Sequence, residues 1–136
     1  MRLDNRIVRL RSQGLKDDIV LSILATEMTF RPQWFRFLEY LSVGLFNHGR
    51  TIGIGQIHVK HWNRQGYYGF QVVIAALNAE NNYNICKEII DRVDHNASTV
   101  DKLNYYTGAL THAYHSKFRE FQKLIREWER NFPKRL

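Results

Sequence analysis

Cysteine occurs once, as Cys86, and proline only twice in 136 residues. A single thiol excludes an intramolecular disulfide, so a folded state has to rest on an apolar core. Such cysteine usage fits a reducing compartment and equally fits bacterial proteins exported without disulfides. Scarce proline beside 44% hydrophobic residues excludes a disordered chain. Long apolar runs are missing too. The longest lies near "IVLSILA", well short of the roughly 20 residues a bilayer span requires, so membrane insertion is not expected. The opening "MRLDNRIVRLRSQG" holds no apolar core of signal-peptide length, so action outside the cytoplasm would need another export route or a trimmed leader. Acidic residues are the last shortage. Thirteen Asp and Glu face twenty Lys and Arg, for a formal charge of +7. That surplus favours a polyanionic partner, whether nucleic acid, an anionic membrane surface or an acidic cell-wall polymer, and charge alone does not choose among them.

Helical signals fill the rest of the chain. "LKDDIVLSILATEM" spaces Ile19, Val20, Ile23 and Leu24 for one helical face, with Asp17 and Asp18 favouring its first turn. "PQWFRFLEYLSVGLF" follows, opened by Pro32 near a first helical position. "NHGRTIGIGQ" carries three glycines and reads as a loop, with a new helix after Ile57. "FQVVIAALNAE", "NICKEIIDRVDH", "TVDKLNYYTGALTHAY" and "SKFREFQKLIREWERNF" are four further helical stretches, separated by breaks at "NAENNYN" and "HNAS". The last of them places Phe118, Phe121, Leu124, Ile125 and Trp128 on one side, as a closing helix packed on the core. Strand alternation is nearly absent. The expectation is one all-α domain over residues 1–136, a monomer with little or no β-structure.

One carboxylate stands out. Positions three, four and seven before Glu27 are Leu24, Ile23 and Val20, so Glu27 continues the apolar stripe. A carboxyl group in apolar surroundings is desolvated, which raises its pKa and suits it to general acid catalysis. The plainer reading pairs Glu27 with Arg31 or Arg50 at a helix end. A second feature is "TIGIGQIHVKHW", where Gly53 and Gly55 permit close backbone approach and Gln56 follows. It lacks the third glycine and the strand context of a dinucleotide loop.

Together these segments resemble the soluble lytic transglycosylase type of domain in the lysozyme-like superfamily. That family's catalytic Glu is followed by Ser-x-Phe-x-Pro; here Glu27, Phe30 and Pro32 match and Met28 takes the serine position. "GIGQI" resembles the Gly-Leu-Met-Gln-Ile segment through Gly53, Gln56 and Ile57. "NNYNICKEIIDRV" resembles the later Tyr-Asn-Ile helix start. "NYYTGALTHAY" resembles the Tyr-Asn-x-Gly segment through Tyr105 and Gly108, with Tyr106 replacing the asparagine. The likeness runs from about Gly14 to Phe118.

The resemblance implies a lysozyme-like fold and cleavage of peptidoglycan between N-acetylmuramic acid and N-acetylglucosamine. It makes Glu27 the single catalytic residue and Gly53, Gln56, Ile57, Tyr105 and Tyr106 substrate-binding residues. Gln56 would bond the sugar or orient the groove wall, and Tyr105 would bring its hydroxyl near the carboxyl or the N-acetyl group, unless it serves as core packing. No cofactor is implied. The setting implied is the cell wall or periplasm, with a glycan strand as partner. Glu39 and Glu80 are expected to face solvent or to be ion-paired, so no second acid stands beside Glu27. The spacer from Glu27 to Gln56 is longer than the family commonly shows and is filled by aromatics, among them Trp34, Phe35 and Phe37. A non-catalytic wall-binding module of the same fold and a hydrolytic muramidase are the alternatives. His58 with His61, and His112 with His115, form i, i+3 pairs without a third ligand, so no metal site is expected. Cys86 lies among apolar helical positions and reads as a core thiol. A nucleic-acid-binding helical domain is the more distant rival. Its footprint would be the basic N- and C-terminal segments, but in the latter the basic residues alternate with acids as on a solvated helix.

Overall fold

The structure is a computed structural model that describes residues 3–30, 40, 41, 43–45, 51–108 and 110–135, the last five of these as backbone only. The fold is all-α, 71% helical against 4% strand. Of the helix expected over 32–46, residues 40, 41 and 43–45 are described and are helical; the aromatic stretch at 33–39 lies outside the described residues, as do Arg31 and Arg50. The chain divides into two compact units, residues 1–26 with 87–136, and residues 27–86.

In the first unit, α1 (Asn5–Ser12) opens on Asp4, whose carboxylate accepts the Arg6 amide at 2.8 Å and so satisfies one free donor of the first turn. It buries Ile7 and Leu10. The next helix, α2 (Asp18–Phe30), begins in the same way, with Asp17 Oδ1 accepting from the amides of Ile19 and Val20 at 3.0 and 3.2 Å. Every residue from Val20 to Thr26 is buried. In place of the expected single apolar stripe, this stretch of the helix is buried all round, and its two hydroxyls turn back onto their own backbone. Ser22 donates to the Asp18 carbonyl and Thr26 to the Ser22 carbonyl, so neither needs water.

The long α7 (His112–Arg135) closes this unit. Tyr114, Phe118, Phe121 and Ile125 are buried at helical spacing, while Leu124 and Trp128 are half-buried. Asp18 receives Arg126 at 2.8 Å and Gln122 at 3.3 Å. Arg11 reaches Glu129 at 3.3 Å, and its guanidinium lies 5.5 Å from the centre of the Trp128 ring. Lys87 joins Asp17 at 3.2 Å.

Among the boundaries that differ from the sequence reading, two have a clear cause. The expected helix across 99–114 is broken. Here α6 (Thr99–Thr107), capped by Ser98, ends on Gly108 at φ +75°, and α7 starts after Thr111, whose hydroxyl accepts the Tyr114 amide at 3.2 Å. A left-handed glycine stops a helix at little cost, and here it outweighs an otherwise continuous pattern. The break expected at 78–84 is helical from Ala79 on, because Asn78 caps α5 (Ala79–Asp91) by accepting the Asn81 amide at 3.0 Å. An asparagine-rich stretch reads as a loop, yet one Asn at the cap is enough to start the helix. No described helix is long and apolar enough to cross a membrane.

The second unit holds the antiparallel hairpin of β1 (Thr51–Ile52) and β2 (Ile57–His58), then α3 (Val59–Arg64), α4 (Phe70–Ala76) and the start of α5. Ile52, Ile54, Ile57, Trp62, Val72, Ala76 and Tyr83 are buried in it. Trp62 meets the Tyr67 ring at 6.4 Å in a tilted pair. The "GIGQ" segment read as a loop is the tip of this small hairpin.

Candidate functional site

The hairpin tip is built to be rigid. Gly53 has φ +84°, and the Gln56 amide returns to the Gly53 carbonyl at 3.1 Å, closing a four-residue turn. A side chain at Gly53 has no room, since a Cβ there would sit 2.5 Å from Asn82 Oδ1 and 3.1 Å from the Ala76 carbonyl. Gln56 itself has φ +49°, an unusual state for a residue with a side chain, costing on the order of 1 kcal/mol. Its amide offsets that cost from both ends. Nε2 donates to the Gly53 carbonyl at 3.0 Å, and Oε1 accepts from the Thr51 hydroxyl at 2.8 Å.

Asn82 holds the turn from outside. It is fully buried in the first turns of α5, and its Nδ2 donates to the carbonyls of Ala76 and Asn78, both at 2.9 Å. Its Oδ1 accepts the Gly55 amide at 3.2 Å. One side chain thus ties the end of α4, the start of α5 and the hairpin tip together. Sequence reasoning missed it. The signal was present, because Asn82 lies four and seven residues before Cys86 and Ile89 and so sits within an apolar stripe. The test applied to Glu27 would have found it.

Glu27 falls where burial ends along α2. Thr26 is buried, Glu27 and Met28 are half-buried, and Thr29 and Phe30 are exposed. Glu27, Gly53, Gln56 and Ile57 all belong to the unit spanning 27–86. Gly53, Gln56 and Ile57 come together within the one hairpin, with Ile57 buried beneath it. Tyr105 and Tyr106 lie on α6, in the other unit. Tyr105 is 55% exposed, which rules out a core-packing role, and Tyr106 is half-buried. Gly108, part of the same motif, serves as the left-handed cap of α6.

Among the remaining candidates, His58 Nδ1 accepts the Lys60 amide at 3.0 Å and caps α3, a role that occupies one ring nitrogen as an acceptor. Cys86 is a buried free thiol. Glu80 is exposed in the first turn of α5, and Glu39 lies outside the described residues. No group of three or more His, Cys, Asp or Glu side chains able to hold a metal ion occurs among the described residues.

No family model matches this chain, and no curated protein or solved structure matches it.

Proposed function

We propose that the chain cleaves peptidoglycan as a lytic transglycosylase, with Glu27 as both acid and base. The observation that carries the reading is the position of Glu27. It follows seven consecutive buried residues and precedes the exposed end of the same helix, so the residue sits where a buried stretch gives way to solvent. That environment suits a group that must hold a proton and then release it. A rigid turn bearing Gly53 and Gln56 in the same compact unit supports the reading further.

In this scheme the Glu27 carboxyl protonates the bridging oxygen as the bond from the muramoyl C1 breaks. The carboxylate so formed then takes the proton of the muramoyl 6-hydroxyl, whose oxygen bonds to C1. A 1,6-anhydro ring closes, no water is consumed, and Glu27 returns to its protonated state. A second carboxylate, as used by ordinary glycosidases, is not needed. Gln56, with both ends of its amide engaged inside the hairpin, would act by fixing the groove wall rather than by reaching for the sugar. The basic surplus would draw the protein to an anionic wall.

The same engagement of Gln56 favours a second reading, a wall-binding module of this architecture without catalysis. Mass spectrometry of digested peptidoglycan separates the two. Wild-type protein is expected to release anhydromuropeptides, and Glu27→Gln none. Pull-down of cell wall without any release would establish the binding module. Reducing-end products would establish a hydrolase, and equal release by both proteins would remove Glu27 from the chemistry.

A further inference from the structure

The exposed side of α7 carries a groove of about 550 Å³ lined by His112, His115, Arg119, Lys123, Arg126 and Arg130, among others. The four strong cations recur at steps of four, three and four residues, so they share one helical face. From Arg119 to Arg130 they extend about 16 Å along the axis. The opposite side of the helix is spent on the core through Phe118, Phe121 and Ile125. Arg126 is already engaged by Asp18. Arg119, Lys123 and Arg130 are exposed and have no ion-pair or hydrogen-bond partner among the described residues. The carboxylate on the groove, Glu120, is paired with Lys117 at 3.1 Å. Leaving three cations unpaired in one row raises the local potential with no gain to the fold, which marks a surface that meets an anion.

The shape and composition narrow the choice of anion. Among the described residues, no aromatic ring other than imidazole and no aliphatic side chain lines the groove. Single-stranded nucleic acid would lack the stacking platforms that give it much of its affinity. A bilayer would find no apolar anchor. A single row of cations beside the Ser116 hydroxyl fits one flexible chain of phosphodiesters read through its phosphates alone. We propose that this face of α7 binds a linear polyol-phosphate polymer of the cell wall. The choice of a wall polymer rests on the proposed function, but the surface involves no residue of the Glu27 site, so polymer binding and glycan cleavage can fail separately.

The test is fluorescence anisotropy of labelled poly(glycerol phosphate) with the full chain. A single-stranded oligonucleotide of equal phosphate number and phosphatidylglycerol vesicles are the comparison arms. Wild type should bind the polymer, and affinity should fall roughly twentyfold between about 50 and about 200 mM salt, as expected for three phosphates neutralised. The triple variant Arg119→Gln, Lys123→Gln, Arg130→Gln should lose most of this affinity and flatten the salt dependence. Glu120→Gln should bind more tightly than wild type, which keeps the test decisive if the triple variant misfolds. Glu27→Gln should bind like wild type. No polymer binding at low salt, unchanged affinity in the triple variant, or tighter binding of the oligonucleotide or the vesicles would each overturn the proposal.

Discussion

Asn82 Oδ1 accepts a hydrogen bond from the amide of Gly55 at 3.2 Å, across 27 residues of sequence. The same side chain donates to Ala76 and Asn78. Replacing it with Ala removes three hydrogen bonds from a dry site, and a carbonyl or amide left without its partner there costs more than the bond itself contributes. Asn82→Ala is expected to lower stability by about 2–4 kcal/mol, read by urea denaturation. Asn82→Asp keeps the acceptor, loses the donor and adds a buried charge, so it should be no better. A loss below about 0.5 kcal/mol in both would mean that the turn does not depend on Asn82.

Gly53→Ala tests the other partner in that packing. The new methyl group meets Asn82 Oδ1 at 2.5 Å and demands a left-handed backbone of a residue that disfavours it. Strain and overlap together should cost about 2–4 kcal/mol. If peptidoglycan release depends on the turn, activity at a temperature where the variant stays folded should fall as well.

For Glu27→Gln the two readouts should separate. Loss of general acid and base action is expected to reduce anhydromuropeptide formation by about 10²- to 10⁴-fold. Thermal unfolding should move by no more than about 1 kcal/mol, because size and shape are kept at a half-buried position. A large change in stability with activity preserved would return Glu27 to a purely structural role.

Phe118 is fully buried in the face that α7 turns to its core. Phe118→Ala should cost about 3–5 kcal/mol through lost burial and the cavity left behind. Asp18→Asn is the contrasting case. It weakens the partly exposed pairs with Arg126 and Gln122 and removes a favourable charge from the first turn of α2. Together these are worth about 1 kcal/mol or less. Parallel denaturation curves for the two variants check the ranking.

Much of this architecture could be read directly from the residues, and the exceptions share a cause. Asp17 and Asp18 at the start of α2, and the closing face of α7, follow from helix periodicity and dipole alone. Where a polar side chain works at a distance, local pattern is silent. Asn82 could be placed in the apolar stripe of α5, but its Gly55 partner lies 27 residues away, whereas Asn78 caps the Asn81 amide only three residues on and was hidden by the asparagine-rich run around it. Gly108 was visible, but only its left-handed backbone shows that it ends a helix. At the candidate site, Glu27 was marked by its apolar neighbours. The internal use of the Gln56 amide depends on a turn geometry that sequence does not carry.

The clamp has a practical corollary for anyone wishing to borrow this turn. Two strands of two residues each are too short to hold themselves together in water. A synthetic peptide covering 51–58 should be unstructured by circular dichroism, and grafting those eight residues onto a foreign scaffold should fail unless the recipient also supplies an asparagine at the matching place. The unit of inheritance here is a loop plus a remote amide, not a contiguous string.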